Sequence, residues 1–293
     1  MKLGIFADGK WGLFFLKEIL KKKSFNCKFI SGRNIIDKEI KKLAIKKNIP
    51  FFVFKDIKSD NAYKKIKSLN VDILVSMSYD QIFDNRIINI CKIPPINCHA
   101  GKLPKYRGRN VINWAIIKGE KEIGITVHFI NKKIDKGNII LQKIIKISNN
   151  DNYNSILKKC YVECPKLLIR SLNKLLINKK FKGIPQSKYG KGFYCKKRVT
   201  GDELINWNVE TDVFNNFVRG ITLPGPCAQS KIGKNKIYII KSKTLEKKLI
   251  NKNLWGKIKK INKNHFDVFL KNGIIRVLKW KTNSKLHEGL ILK

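Results

Sequence analysis

From Leu3 to Ser78 short apolar runs alternate with amphipathic stretches. Leu3–Ala7 (LGIFA), Cys27–Ser31 (CKFIS), Phe51–Phe54 (FFVF) and Val71–Ser78 (VDILVSMS) are near-continuous apolar runs, while Trp11–Lys22 and Asp37–Asn48 carry helical spacing. Runs of that kind separated by helix-length segments predict the strands of a parallel sheet covered on both faces, an α/β arrangement with a doubly wound, mostly parallel sheet. In such sheets ligands gather beyond the carboxyl ends of the strands. Ala7–Gly12 (ADGKWG), Ser76–Gln81 (SMSYDQ) and Cys98–Pro104 (CHAGKLP) occupy those ends.

Further along, Val111–Gly119 reads as a short helix, and Gly124–Ile130 (GITVHFI) and Asn138–Ile147 (NIILQKIIKI) as two strands. A long helix from about Asn152 to Asn178 closes this unit, giving a first domain over residues 1–180. Residues 181–203 are rich in Lys and Gly and lack periodicity, which predicts a linker. Residues 204–293 then predict a small β-rich domain. Thr211–Gly220 has helical spacing, and Lys236–Ser242, Trp255–Ile261, His265–Leu270 and Ile274–Trp280 read as short strands, the last two joined by Lys271-Asn272-Gly273. A partly open barrel is one way to arrange them.

Asn97 and His99 lie two apart, and on a strand they project to the same side. Such a pair serves as an amide donor with a base, as metal ligands, or as structural filler. Zinc needs three or four ligands, and His99 has only Cys98 beside it, facing the other way, so no metal is expected. Gly101-Lys102-Leu103-Pro104 follows at once, and a polar pair with a tight loop at a strand end is poor core filler. Asp135, before Lys136-Gly137, is either an ordinary turn acid or the carboxylate that orients an imidazole. Lys102, Arg107 and Arg109 form a basic cluster suited to phosphate oxygens. Lys10, in the Gly9-x-x-Gly12 turn before a helix, offers a further contact to a diphosphate. Trp11 is expected to pack. His128, His265 and His287 lack partners in sequence and read as structural or exposed.

The formal net charge of +42 in 293 residues favours anionic partners. Only eight of the 63 basic residues are arginine, and the lysines are scattered along the whole length. That distribution describes a solvated surface better than a dedicated nucleic-acid stripe. The seven cysteines form no CxxC pair, and no leader-like segment is recognised, so a soluble cytoplasmic protein with free thiols is expected. No run approaches the ~20 apolar residues of a membrane span, so no membrane insertion is expected.

Taken together, Asn97-x-His99, Leu103–Gly108 (LPKYRG) and Asp135-x-Gly137 after the GITVHFI run resemble the folate-dependent formyltransferases. In that family the Asn, the His and the Asp of the Asp-x-Gly turn are the catalytic triad, which the resemblance places on Asn97, His99 and Asp135. Leu204–Asn208 (LINWN) and Phe217–Pro226 (FVRGITLPGP) are similar to the opening of its C-terminal domain, so the resemblance covers nearly the whole chain. It implies a Rossmann-like first domain and N10-formyltetrahydrofolate as co-substrate, with Met77, Ser78 and Tyr79 in the folate-binding loop. His99–Ile116 (HAGKLPKYRGRNVINWAI) looks like the branch that formylates amino sugars on a nucleotide diphosphate, in surface polysaccharide biosynthesis. The methionyl-tRNA branch typically has Pro-Ser-Leu-Leu-Pro after the histidine. Transfer to a nucleotide-linked amino sugar is therefore expected, with Lys10, Lys102, Arg107 and Arg109 on the sugar. Methionyl-tRNA formylation and a non-catalytic nucleic-acid-binding role are the alternatives, and a homodimer is compatible with the sequence. Asn131–Ile140 (NKKIDKGNII) departs from the family in carrying lysines and asparagines around Asp135, where relatives commonly have acids.

Overall fold

A computed structural model describes residues 1–34 and 36–293. In chain order its elements are β1 (Lys2–Ala7), α1 (Gly9–Ile19), β2 (Asn26–Gly32), α2 (Lys38–Lys46), β3 (Phe51–Val53), α3 (Asp60–Ser68), β4 (Ile73–Met77), α4 (Asn85–Ile88), β5 (Ile96–His99) and β6 (Arg107–Gly108). After these come α5 (Val111–Ile117), β7 (Glu122–Phe129), β8 (Ile139–Lys146), α6 (Tyr153–Ile177), β9 (Tyr194–Cys195), α7 (Thr211–Ile221) and β10 (Ala228–Ile232). The chain ends with β11 (Asn235–Glu246), β12 (Ile258–Ile261), β13 (Phe266–Leu270) and β14 (Gly273–Thr282). Among the described residues no helix is long and apolar enough to cross a membrane.

Two compact units divide the chain, and they interleave in sequence: Met1–Gly108, Gly124–Ile145 and Lys158–Cys195 form the first, and the remainder the second. The first is built on a seven-stranded sheet in the order β3-β2-β1-β4-β5-β7-β8. β3 through β5 run parallel, and β7 is antiparallel to β5. This is the expected doubly wound sheet. Leu3 to Ala7 are all buried on β1, as an apolar run covered on both faces requires. The chain reverses its direction of winding between β1 and β4. There Asp8 N donates to Met77 O at 3.3 Å, and the two strand ends open towards the crevice where ligands collect.

The helix α3 is absent from the apolar pattern because its nine residues bury only Ala62 and Ile66, one turn apart. Its start is set by Ser59, whose hydroxyl accepts from Ala62 N at 3.3 Å. Residues 181–203, expected as a linker, include a 3₁₀ turn at Gln186–Tyr189 and strand β9, which pairs in parallel with β6.

The second unit packs α5 and α7 with a five-stranded antiparallel sheet in the order β10-β11-β14-β13-β12. Its core gathers Trp207, Phe214, Ile237, Phe266, Val277 and Leu292. Asn113 on α5 donates to Gly220 O on α7 at 2.8 Å, a buried bond that fixes the two helices. The C-terminal segment joins the edge strands: Lys293 N donates to Lys231 O at 3.0 Å, and Ile258 N donates to Leu290 O at 2.8 Å. Both edges are thereby covered, which protects them from pairing with other chains. β10 escapes the sequence pattern because its buried positions include Gln229 and Ser230.

Candidate active site

Strands β5 and β7 place the central side chains. Their register sets Asn97 opposite His128 and His99 opposite Thr126, so a histidine from each strand enters the same region of the sheet. His99 is buried, and its Nε2–H donates to the Tyr106 carbonyl at 2.6 Å. In the neutral ring that bond leaves Nδ1 as the nitrogen without a proton, and Nδ1 faces Asp135 Oδ2 at 3.7 Å, where the carboxylate favours the protonated ring.

Gly101 is what lets the ring reach Tyr106. A Cβ on residue 101 would overlap both His99 Nε2 and the Tyr106 oxygen, so only glycine permits the contact. The loop is fastened from β7, where Thr126 Oγ1 donates to Gly101 O at 2.7 Å and accepts from Leu103 N at 3.3 Å. Gln142 on β8 donates to Leu103 O at 2.9 Å and to Thr126 Oγ1 at 2.8 Å. The glycine and proline after His99 thus belong to one buried turn that aims the imidazole.

Asp135 occupies a left-handed backbone conformation, with φ of 52°. Its carboxylate is 10% exposed, accepts from Gly108 N at 2.9 Å, and has His128 Nε2 at 3.4 Å from Oδ1. Two residues on, Gly137 passes so close to Phe129 that a Cβ would overlap the Phe129 carbonyl oxygen. The Asp-x-Gly pair therefore follows from geometry: the turn needs one residue with positive φ and one without a side chain. Burial raises the pKa of Asp135, but the charges His99 and His128 carry when protonated, the His128 hydrogen bond and the Gly108 amide outweigh it. The carboxyl is held well below the usual carboxylate range.

His128, read from sequence as structural or exposed, is placed by the structure inside the site. It is buried, its Nδ1–H donates to Phe129 O at 2.8 Å, and Nε2 lies 3.3 Å from the Asn97 amide nitrogen. As a neutral ring it accepts the Asn97 amide proton, and as a cation it donates to Asp135. The signal was present in sequence, because His128 is one residue before the end of a strand whose next turn carries Asp135.

Gln186 was missed altogether. Buried in the first unit, it donates from Nε2 to the carbonyls of Asp135 (2.7 Å) and Gly137 (2.8 Å). Its Oε1 accepts from Arg107 at 2.6 and 3.1 Å. Nothing in the aperiodic stretch around it marks a buried amide.

The other expected site residues take varied positions. Met77 is buried at the end of β4, and Ser78 follows with φ of 65°. Arg33 holds this loop: its Nε donates to Ser78 O at 2.9 Å and lies 3.4 Å from Asp8 and 3.7 Å from Asp80. Burial dominates at Asp8 and raises its pKa, against the lowering effect of the Arg33 charge. The Tyr79 ring packs on Phe6 and Phe83, with centroids 4.9 and 6.2 Å away, and burial pushes its phenol up to about 12. Lys10 is exposed on the first turn of α1, and Trp11 packs edge-on against Tyr161 at 4.9 Å. Lys102 is half-buried, and Arg109 is exposed in the second unit. Arg107 stands 5.6 Å from the centroid of the Tyr194 ring, and Lys136 stands 5.8 Å from the same centroid. Thus Asn97, His99, Asp135 and Arg107 are linked through direct contacts or through His128, Gly108 and Gln186, while among the described residues no hydrogen bond or ion pair joins Lys10 to them. Among the described residues no three His, Cys, Asp or Glu side chains are grouped to hold a metal.

Comparison with known proteins places this geometry. Residues 32–172 match the formyl transferase family model, and residues 199–288 match the model for the formyl transferase C-terminal domain. The methionyl-tRNA formyltransferase of Thermodesulfovibrio yellowstonii is 37% identical over 249 residues, covering 84% of this chain and 77% of the relative. Among solved structures, WlaRD, a sugar 3N-formyl transferase in the presence of dTDP and 5-N-formyl-THF, is 21% identical with a TM-score of 0.70. It covers 98% of this chain and 99% of that one. An N-formyltransferase from Helicobacter canadensis, in complex with folinic acid and dTDP-3-aminofucose, has the same identity and TM-score. It covers 96% of this chain and 100% of that one.

Proposed function

Because the chain belongs to the formyl transferase family, we propose that it moves a formyl group from N10-formyltetrahydrofolate to the amine of a nucleotide-linked amino sugar. The donor set fits this chemistry. An amide faces the same region as an unprotonated ring nitrogen and a fixed carboxylate, which are an oxyanion donor, a base and a counter-charge.

In this reading Asn97 donates its amide hydrogen to the formyl oxygen as attack by the amine turns it into an oxyanion. One such donor is typically worth ~10²–10³ in rate. His99 takes the amine proton on Nδ1, the nitrogen its Tyr106 bond leaves open. Asp135 stays ionised and stabilises the imidazolium at 3.7 Å. The tetrahedral adduct then expels N10, which receives the proton back from His99 and leaves as tetrahydrofolate. His128 steadies Asn97 on one side and Asp135 on the other. Met77, Ser78 and Tyr79, in the loop that Arg33 holds, are the proposed border of the folate.

One observation carries the choice of acceptor. The Arg107 guanidinium and the Lys136 ammonium both stand over the Tyr194 ring, which is 49% exposed. The chain that bears them is the chain that bears Gly108 and Asp135. Two cations against one half-exposed aromatic ring suit a diphosphate, a compact dianion, better than an extended phosphate backbone. Lys102 is a further proposed contact. Formylation of methionyl-tRNA is the second reading, favoured by the 37% identity to such an enzyme and by the net charge of +42.

Incubation with formyl donor and a panel of dTDP-, UDP- and GDP-linked amino sugars, read by mass spectrometry, tests the proposal. A mass gain of one formyl group on a sugar supports it. Formylation of charged initiator tRNA with no sugar product overturns it in favour of the second reading.

A further inference from the structure

A cavity of about 690 Å³ opens in the first unit, within the ~300–1,000 Å³ range of small-molecule sites. None of Asn97, His99, Asp135 or the Met77–Tyr79 loop lines it. Four lysines do: Lys92, ahead of β5, and Lys179, Lys180 and Lys182, which follow α6. The lining contains no aspartate or glutamate, and no ion pair among the described residues engages any of the four ammoniums. Other lysines of this chain do find acids, as Lys143 and Lys166 find Glu163.

The lysine-bearing segment is anchored. Asn138 Nδ2 donates to Lys182 O at 2.9 Å, and Ile139 and Ile184 exchange two backbone bonds of 2.8 Å. The main chain therefore keeps these positions together, so a bound anion would relieve their mutual repulsion. The same cavity is also lined by Ile88, Phe129, Ile130 and Phe181. Inorganic anions gain nothing from such a lining, whereas a molecule with an apolar or aromatic body does.

We infer that this cavity is a second anion site, for a small organic molecule carrying two or more phosphates or carboxylates on an apolar body. A nucleoside triphosphate has that chemistry, whereas a chain of γ-linked glutamates carries the charge without the apolar body, and the probes separate the two cases. ATP and tri-γ-glutamate are each titrated by calorimetry into the full chain, the K179Q/K180Q/K182Q variant, and a control, K41Q/K42Q/K46Q, that loses the same charge from exposed positions on α2. An R107Q/K136Q variant removes the acceptor site proposed above, so failure of that reading is seen separately.

The expected result is one-to-one binding of ATP, tighter than that of tri-γ-glutamate and retained in R107Q/K136Q. Affinity should fall about tenfold in K179Q/K180Q/K182Q, as three solvent-exposed charge contacts imply, and less than about twofold in the control. Circular dichroism confirms that the variants fold. Equal weakening in the control would reduce the cavity to the diffuse field of a +42 chain and overturn the inference, as would no binding of ATP or binding of tri-γ-glutamate as tight as that of ATP.

Discussion

Gln186 accepts two hydrogen bonds from Arg107 through one oxygen and donates to the carbonyls of Asp135 and Gly137 through its nitrogen. One amide thereby ties a proposed phosphate contact to the turn that carries a proposed catalytic carboxylate. The arrangement needs a donor and an acceptor on the same side chain, so substitutions divide cleanly. Gln186→Ala leaves two carbonyls and a guanidinium without partners and should lower stability by about 1–3 kcal/mol. Gln186→Glu keeps the Arg107 contact but turns a carboxylate towards two carbonyl oxygens, and should raise the acceptor KM as the turn shifts. Chemical denaturation and steady-state kinetics check both, and an unchanged midpoint in Gln186→Ala would refute the tie.

Gly101→Ala isolates the tautomer argument. The added methyl overlaps His99 Nε2 and the Tyr106 oxygen, so the bond that frees Nδ1 breaks while His99 itself remains. Turnover is expected to fall nearly as far as in His99→Ala, with the folded circular dichroism spectrum kept. Normal turnover in Gly101→Ala would show that the Tyr106 contact does not set the base.

How much of this was legible in the sequence depends on what each residue does for the chain. The strands of the doubly wound sheet are apolar runs, and they appear as such because both faces of the sheet are covered. Asn97 and His99 stand out by their spacing before the Gly-Lys-Leu-Pro turn, whereas Asp135 is singled out only by the resemblance to the formyltransferases, since on its own it reads equally as a turn acid. Gln186 was not singled out, since a buried polar side chain is recognised only by the partner that satisfies it, and Arg107 is 79 residues away; His128 was read as structural or exposed, although its place at a strand end before the Asp135 turn was visible. The helix α3 and strand β10 were missed for the complementary reason: too little apolar surface on one, and buried polar residues on the other.

Substitution of the three central side chains tests the mechanism directly. Asn97→Ala, His99→Ala and Asp135→Ala should each reduce kcat by ~10²–10⁴, the range for an oxyanion donor or a general base. Asn97→Ala and His99→Ala should leave the thermal midpoint within a few degrees, whereas Asp135→Ala, which also removes a stabilising buried carboxylate, should lower it further. Near-normal turnover in His99→Ala would remove the base from the scheme.

The pH dependence of stability carries the signature of Asp135. Its folded pKa is depressed, so the carboxylate contributes stability that is complete above its unfolded value, about 3.9, and is lost as pH falls below that towards the folded pKa. The stability gap between the native chain and Asp135→Asn should therefore narrow by about 1 kcal/mol from pH 5 to pH 3. Urea denaturation at the two pH values measures it. A gap that stays constant would mean that the carboxyl is not held ionised by its neighbours.

The cations beside the Asp135 turn decide between the two acceptors. Arg107 and Lys136 share the Tyr194 ring, and Lys102 follows His99 by three residues. If they hold a diphosphate, they act in binding the acceptor and not in the chemical step. Arg107→Gln, Lys136→Gln and Lys102→Ala should then raise the sugar KM several-fold while the folate KM moves less than about twofold, because uniform binding is lost and transition-state contacts are kept. Each kcat should fall far less than in the variants of Asn97, His99 or Asp135. Arg109→Ala belongs in the same series: this side chain is exposed in the second unit, and a KM that does not move would assign it to surface charge. Lys136→Gln is the sharpest member, since Tyr194 and Arg107 remain and only one charge is removed from the ring face. Equal rises in both KM values for Lys136→Gln would indicate that the Asp135 turn had been distorted, and the diphosphate reading would fail.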